Sequence, residues 1–179
     1  GARAVSLDLA RHKLRRGQLL AHAPALVEGD ALRLPFADAS VDRVMSICAL
    51  EHFADGPAAL REMARVLRPG GELVLSADCL SRAGEWPHLF DAHRRRYHVR
   101  RTYTHETLRT LLDGCGLDVL EHRYQFRSRT AERLYLTLSA YGGRAGFNAA
   151  APLIPLVALD DRRHPNTRGS IVLLRARRR

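Results

Sequence analysis

Lysine is almost absent from this sequence of 179 residues, although the chain carries a formal net charge of +10. Lys13 is the single lysine, so nearly all of the positive charge comes from arginine, which is spread along the whole chain and interleaved with acidic residues. A nucleic-acid-binding protein concentrates its basic residues on one face, so this pattern disfavours nucleic acid as a partner. Two basic clusters remain: residues 94–96 with 100–101, interpreted as a solvated loop or an anion contact, and residues 175–179, interpreted as a solvated tail.

Long apolar runs and paired cysteines are missing as well. No segment approaches the roughly 20 continuous apolar residues that span a bilayer, and no secretory leader is visible. Cys48, Cys79 and Cys115 are odd in number, scattered, and set among apolar neighbours. This indicates reduced thiols in a cytoplasmic protein rather than disulfides or a metal site. The length fits one domain over residues 1–179.

Residues 27–76 carry the clearest structural pattern. Two apolar runs, residues 41–50 and 72–76, flank a segment in which Leu60, Met63, Ala64 and Leu67 recur at helical spacing. Pro57 suits the first position of that helix, and the run 41–50 lacks strict alternation, as expected of a strand covered on both faces. Strand, helix, turn and strand in this order predict a parallel α/β sheet.

Three segments of this stretch resemble one known family. GDALRLPFADASVDRV, LEHFAD and LREMARVLRPGGELVLS occur in the order and spacing of a class I S-adenosylmethionine-dependent methyltransferase, and are most similar to the type 11 small-molecule group. The resemblance extends from about residue 1 to residue 119 and, more loosely, to the last strand. It implies a Rossmann-like sheet that is mostly parallel, with an antiparallel last strand between the fifth and sixth family strands, and it implies S-adenosylmethionine as the cofactor.

The family's first strand and the glycine-rich turn after it have no counterpart in this sequence. No G-x-G-x-x-G pattern occurs, and the glycine-rich residues 142–146 come too late in the chain. In the family, that strand lies at the centre of the sheet, between the second and fourth strands. A chain without it would expose unpaired strand edges, which proteins avoid. The sequence therefore favours a fragment of a longer protein, and the alternative is a degenerate member that has lost cofactor binding.

The resemblance assigns most of the cofactor site to the ends of predicted strands. Asp8, at the end of the family's second strand, would accept hydrogen bonds from the two ribose hydroxyls, because one carboxylate offers two acceptor oxygens. Asp30 would accept from the adenine amino group, while Ala31 would offer its backbone N–H to the ring. Helix capping by Asp8 and an Asx turn at Asp30 are the structural alternatives. Leu9, Leu32 and Cys48 complete the predicted cofactor contacts.

Glu51 and His52 are the predicted catalytic residues. They follow a central strand, and ligands bind at the carboxyl ends of strands in open α/β sheets. The enzyme must align donor and acceptor and, for a hydroxyl acceptor, remove a proton. His52 could be the general base; Glu51 could serve instead or favour the sulfonium electrostatically. A structural role for both remains an equal alternative.

Two segments are candidate substrate-side or lid insertions. Residues 77–103 hold Trp86, His88 and Tyr97, which could contact the acceptor, although an amphipathic connection packed on the sheet is the alternative. Residues 129–165 contain two apolar patches that could form a lipophilic acceptor pocket, a peripheral membrane contact or a dimer surface, or simply pack on the sheet. The histidines lack the partner pattern of a zinc site, so no metal is predicted.

The sequence as a whole predicts methyl transfer from S-adenosylmethionine to a small-molecule acceptor, with oxygen favoured as the nucleophile. Two alternatives stay open. The first is an RNA or protein methyltransferase that uses the basic surface, and the second is a truncated, non-catalytic scaffold domain. The acceptor itself is not identified, because a shared cofactor half serves many chemistries.

Overall fold

A computed structural model describes residues 4–9 and 25–179. The predicted helix of residues 11–20 lies outside the described residues. The described strands are β1 (Val5–Asp8), β2 (Ala25–Glu28), β3 (Val41–Ile47), β4 (Leu67–Asp78), β5 (Leu117–Gln125) and β6 (Ile171–Arg178). The described α-helices are α1 (Gly56–Val66), α2 (Pro87–Tyr97), α3 (His105–Asp113), α4 (Arg129–Thr137), α5 (Gly143–Ala150) and α6 (Ile154–Arg163). Short helical turns cover Leu50–His52, Ala83–Glu85 and Ala151–Leu153, and a π-helical turn covers Leu138–Gly142.

The strands form two sheets among the described residues. β1 pairs with β2 in parallel, and the larger sheet has the order β3-β4-β6-β5. β3 and β4 are parallel, while β6 runs antiparallel to both β4 and β5. The predicted Rossmann-like α/β fold and the insertion of the last strand are therefore confirmed. Within the described part of the chain, the other edges of β1 and β3 pair with no strand, consistent with the missing counterpart of the family's first strand.

One face of β3 is not covered as the sequence suggested. Met45 is 72% exposed and Ile47 is 54% exposed, whereas Ser46 between them is buried. Successive side chains of a strand point to opposite faces, so one face packs on the core and the other is open in the structure. The prediction of a strand buried on both faces is wrong for this face, because none of the described helices packs against it.

Helix α1 begins as its sequence predicts. Asp55 is the N-cap, and its Oδ1 accepts a hydrogen bond from the Ala58 N–H at 2.8 Å. Pro57 sits in the first turn, where its missing N–H costs nothing. Leu60 and Met63 lie on the buried face of the helix, which packs on the larger sheet. The helix ends at Val66 and β4 begins at Leu67, so the change from helix to strand comes before Pro69 and the two glycines that follow it.

The polar side of α1 holds the loop that follows β2. Glu62 accepts the Leu34 N–H at 2.8 Å, and Arg65 donates to the Leu34 carbonyl at 3.0 Å and the Phe36 carbonyl at 2.9 Å. Arg65 also contacts Asp38 at 2.6 Å. These contacts fix the path of the loop that carries the predicted adenine-binding residues.

The basic residues 175–179 are not a solvated tail, as the sequence had suggested. Most of them belong to β6, and several of their guanidinium groups bind partners on neighbouring strands. Arg175 lies 3.4 Å from Glu72 and 3.0 Å from Glu121, and Arg177 lies 3.1 Å from Glu72. Arg178 donates to the backbone carbonyl of Leu67. The prediction failed because the strand pattern Ile171–Leu174 continues through these arginines.

A close backbone approach joins the start of β6 to the end of β5. A Cβ atom built on Gly169 would lie 2.3 Å from the backbone oxygen of Gln125, and the same oxygen accepts the Ser170 N–H at 2.9 Å. Gly84 differs, because a Cβ atom there would meet nothing within 4 Å. Any side chain at position 169 would clash with the backbone of Gln125, so this position requires glycine.

We expect Gly169→Ala to lower the free energy of unfolding by about 1–3 kcal/mol, because the methyl group must displace backbone in a packed sheet. Gly84→Ala is the matched control, and it should change stability by less than about 0.5 kcal/mol. Urea unfolding followed by circular dichroism measures both. Equal stability of the two variants would contradict the close approach.

Candidate active site

A pocket of about 240 Å³ opens beyond the carboxyl ends of β3 and β4. This edge is where open α/β sheets bind ligands. Residues from three sources line it: the turn after β3, the end of β4, and the helices of the two predicted insertions. They are Cys48, Glu51, His52, Asp78, His93, Tyr97, Tyr135, Ser139 and Phe147. Both predicted catalytic residues are therefore found together in one pocket.

Glu51 is a buried carboxylate with one unused oxygen. It lies in the helical turn Leu50–His52 and is 1% exposed, and its Oε2 has no hydrogen-bond partner among the residues that the structure describes. Burial away from water, helped by the negative charge of Asp78, raises the pKa of Glu51 to about 7. Its backbone carbonyl accepts the Arg100 N–H at 2.8 Å, which ties the turn to the segment after α2. A carboxyl group of this kind can exchange a proton near neutral pH.

His52 lies beside Glu51 but is not hydrogen-bonded to it. Its Nε2 is 4.0 Å from Glu51 Oε1, and its buried Nδ1 has no partner among the described residues. The side chain is 36% exposed, so the ring lies at the mouth of the pocket. A protonated His52 would favour the ionised form of Glu51, since an opposite charge at this distance stabilises a carboxylate.

His93 joins two elements inside the pocket. Its Nε2 lies 2.8 Å from Asp78 Oδ2 at the end of β4, and its Nδ1 lies 2.8 Å from Ser139 Oγ in the π-helical turn. All three residues are at most 3% exposed. Tyr135 donates its hydroxyl to the other Asp78 oxygen at 3.3 Å. Buried polar groups that are fully paired in this way define one geometry.

The hydrogen atoms of this cluster can be arranged in two ways. The single hydroxyl hydrogen of Ser139 can go to His93 Nδ1 at 2.8 Å or to the Leu136 carbonyl at 3.0 Å. In the first case His93 is neutral and donates only from Nε2 to Asp78. In the second case Ser139 Oγ is left to accept from Nδ1. Every polar group of the cluster is paired in both arrangements.

A serine, a histidine and an aspartate in a row also make up the hydrolase triad. Here the arrangement does not fit nucleophilic attack, because Ser139 is 2% exposed and bonds the carbonyl of its own helical turn. The cluster acts instead on the shape of the pocket, since it connects β4, α2 and the π-helical turn.

The predicted cofactor residues lie on β1, β2 and the loop after β2. Asp8 ends β1 and pairs in register with Glu28, which ends β2. Leu9 follows at 70% exposure. Asp30 Oδ1 accepts the Leu32 N–H at 2.9 Å, which is the Asx turn considered from the sequence, and Leu32 itself packs against the core.

Ala31 lies inside that Asx turn, and Cys48 lies at the end of β3. Cys48 has a backbone φ of 45°, which is rare for a residue with a Cβ. Its N–H bonds the Ser76 carbonyl and hydroxyl, both at 3.0 Å, and burial raises the pKa of its thiol. Cys48 borders the pocket, so it connects the strand edge to the candidate active site.

The three predicted substrate residues lie in three different environments. Tyr97 lines the pocket. Trp86 is 8% exposed and packs with Leu80, Leu89 and Leu136 in a small apolar cluster. His88 lies on the exposed side of α2. The geometry therefore favours Tyr97 for acceptor contact and gives Trp86 and His88 no place in the pocket.

Sequence reasoning missed Asp78, His93, Tyr135, Ser139 and Phe147. Asp78 had a usable signal, because it is the acidic residue at the carboxyl end of β4, beside the end of β3. The other four come from helices whose packing on the sheet is not encoded in local spacing. His93 and Ser139 are 46 residues apart in sequence.

The described residues offer neither a metal-binding cluster nor a membrane-spanning helix. Within residues 4–9 and 25–179, no three histidine, cysteine, aspartate or glutamate side chains are placed to hold a metal ion. None of the helices in that part of the chain has the length and apolar character needed to cross a bilayer.

Comparison with known proteins gives the same family as the sequence motifs. Residues 1–75 match the family model described as a methyltransferase domain. Demethylmenaquinone methyltransferase of Deinococcus radiodurans is 52% identical over 69 residues, which cover 38% of this chain and 27% of that enzyme. Malonyl-[acyl-carrier protein] O-methyltransferase of Erwinia pyrifoliae is 41% identical over 71 residues, or 40% of this chain and 27% of that enzyme.

Solved structures share the fold over nearly the whole chain. Geranyl diphosphate C-methyltransferase of Streptomyces coelicolor superposes with a TM-score of 0.67 at 15% identity, covering 99% of this chain and 63% of that one. A Bacillus halodurans protein described as a methyltransferase gives a TM-score of 0.62 at 18% identity. The superposition covers 97% of this chain and 81% of that chain. The predicted fold is thereby confirmed: the chain has the fold of class I S-adenosylmethionine-dependent methyltransferases, and its residues 1–75 match the methyltransferase domain family.

The raised pKa of Glu51 predicts a pH-dependent stability. The folded state binds this proton more tightly than the unfolded state, so its contribution is complete below about pH 4.5 and is lost as the pH rises through about 7. We expect the wild type to lose on the order of a few kcal/mol over this interval relative to Glu51→Gln, whose amide does not titrate. Urea unfolding at several pH values measures the difference. Parallel pH curves for the two proteins would contradict the burial of a titrating Glu51.

Proposed function

We propose that this chain carries out, or forms part of an enzyme that carries out, methyl transfer from S-adenosylmethionine to a hydroxyl group of a small-molecule acceptor. The observation that carries the proposal is Glu51, a buried carboxyl group with an unpaired oxygen and a pKa of about 7, at the ligand-binding edge of a methyltransferase fold. A hydroxyl acceptor needs a proton acceptor of this kind. The family match supports the methyl donor.

The described residues fit the ribose and adenine end of the cofactor. Asp8 and Asp30 follow two neighbouring parallel strands, so their carboxylates lie at the same edge of the small sheet. Asp30 uses Oδ1 for the Leu32 N–H, and no hydrogen bond to its Oδ2 is found among the described residues, which leaves that oxygen available to an amino group. Ala31 would offer its N–H to the adenine ring, with Leu9, Leu32 and Cys48 as apolar neighbours. This chain has no assigned residue for the methionine end.

Bound S-adenosylmethionine would supply an electrophilic methyl group on a sulfonium and would leave as the neutral thioether S-adenosylhomocysteine, and the chain's own residues would prepare the acceptor. Glu51 Oε2 would take the hydroxyl proton as the bond from the methyl carbon to the acceptor oxygen replaces the bond from that carbon to sulfur. His52, at the mouth of the pocket, favours the ionised Glu51 when it is protonated. Tyr97 contacts the acceptor. Glu51 is thus the proposed general base, and His52 the proposed electrostatic helper.

The cytoplasm is the proposed compartment, in keeping with three cysteines that all remain free thiols. The aligned curated enzymes are named for two different acceptors, a demethylmenaquinone and a malonyl carrier protein. A free small molecule is the acceptor proposed here, because the pocket of about 240 Å³ is lined mostly by side chains that are buried or half-buried. The residues 175–179 are engaged in the sheet, which weakens the nucleic-acid alternative.

The cofactor assignment predicts that Asp8→Ala and Asp30→Ala each weaken binding of S-adenosylhomocysteine by about 1–3 kcal/mol, the range for losing a hydrogen bond to a charged group. Calorimetric titration measures the affinity. Asp118→Ala is the control, because Asp118 is exposed and lies on β5, an edge strand of the larger sheet, whereas Asp8 lies on β1 of the smaller sheet. Unchanged affinity in both test variants would remove the assignment. Absence of binding by the unmodified protein would instead favour the non-catalytic scaffold.

The general-base assignment predicts that Glu51→Gln lowers turnover by about 10²-fold or more, whereas His52→Asn lowers it less. Wild-type turnover at low pH should rise with pH and level off above about 7, where Glu51 is ionised. The measurement is a pH profile of kcat/KM for a hydroxyl acceptor. A Glu51→Gln variant that keeps full turnover, with the same profile, would return Glu51 to a structural role.

A further inference from the structure

A second cavity of about 310 Å³ lies against the candidate active site. Its size is at the lower end of pockets that hold small organic ligands. Ten of its lining residues are apolar or aromatic: Phe126, Leu134, Tyr135, Leu138, Phe147, Ala150, Leu153, Ile154, Val157 and Ala158. The remaining two are Gln125 and Asp161. Both apolar patches of residues 129–165 thus contribute to the lining of one cavity.

Tyr135 and Phe147 line both cavities, so the polar and the apolar space are adjacent and share a wall. Tyr135 shows the change in chemistry within one side chain. Its hydroxyl donates to Asp78 in the polar pocket, while its ring stacks on Phe126 with centroids 4.7 Å apart on the apolar side. Burial raises the pKa of the Tyr135 hydroxyl, which stays a neutral donor. A ligand that fills both spaces must be polar at one end and apolar at the other.

The charged residue in the apolar cavity is not available to a ligand. Asp161 accepts the Phe126 N–H at 2.9 Å and the Arg127 N–H at 2.6 Å. Arg127 in turn donates to the Asp161 carbonyl at 2.9 Å. These reciprocal bonds fasten α6 to the end of β5, so that wall has a fixed position. Ile154, which is 64% exposed, stands at the open rim.

We propose that the apolar cavity holds the hydrocarbon tail of an amphipathic acceptor whose hydroxyl-bearing head lies beside Glu51. This inference rests on the proposed function for the head and, for the tail, on the apolar lining of the second cavity and its position beside the polar pocket. The other occupants of an exposed apolar patch are a membrane surface or a second copy of the chain. They would use the outward side chains of α6, such as Leu156, which is 62% exposed and does not line the cavity.

The test is a calorimetric titration with 4-alkylphenols from methyl to hexyl, without cofactor. Each added methylene should tighten binding about three- to four-fold until the cavity is full. Val157→Trp fills the cavity and should abolish this gain while leaving the affinity for 4-methylphenol unchanged. Leu156→Trp, on the neighbouring outward position of α6, is the matched control and should keep the gain. Ala150→Phe fills the same cavity from α5 and replaces Val157→Trp if that variant does not fold.

Two results would overturn the inference. One is a wild type with no dependence on chain length, and the other is a gain that survives Val157→Trp and Ala150→Phe. A gain altered only by Leu156→Trp would assign the binding to the outer surface of α6. Because the titration needs no methyl donor, a cavity-dependent gain without methyl transfer supports the tail site and removes only the proposed reaction. Methyl transfer without a chain-length effect would support the proposed reaction and remove the tail site.

Discussion

The Asp78 carboxylate is the contact on which the candidate site depends. It lies at the end of β4 and accepts hydrogen bonds from His93 on α2 and Tyr135 on α4. Both helices contribute residues to the lining of the pocket, and neither is a continuation of the sheet. A buried carboxylate with two such donors holds two helices on one strand end. Without it, the charge that helps to raise the pKa of Glu51 would also be lost.

A second buried carboxylate reinforces the same attachment. Glu132 on α4 is 0% exposed and pairs with Arg82, in the segment after β4, at 2.5 Å. It also accepts the Arg82 N–H at 2.9 Å. A buried ion pair adds little net stability but strongly penalises loss of one partner. The two carboxylates therefore specify where α4 sits, and α4 supplies Tyr135 to the boundary between the polar and the apolar cavity.

Local signals in the sequence predicted the elements well. The helix predicted from the spacing of Leu60, Met63 and Ala64 is present, β1 ends at Asp8, and β3 ends shortly before Glu51, as the family motifs imply. Predictions that depended on distant packing were less reliable. Trp86 was expected at the acceptor but fills a small core, and the arginines of β6 were expected in water.

The site shows the same division between local and distant information. Glu51 and His52 could be placed from the sequence because a strand end fixes them at the ligand edge. His93 could not, because its role needs Ser139, which is 46 residues away and reaches it through a π-helical turn. A histidine in a basic helix carries no sign of its two partners. Tertiary packing decided its function.

The position of β6 has a consequence for synthesis of the protein. β6 lies between β4 and β5 and is hydrogen-bonded to both, so these two strands are not neighbours until residues 171–178 have been made. On the ribosome, β4 and β5 therefore wait with unpaired edges, and non-local pairing of this kind is slow. We expect the larger sheet to close late, with the half-built intermediate as the species that most needs protection from aggregation.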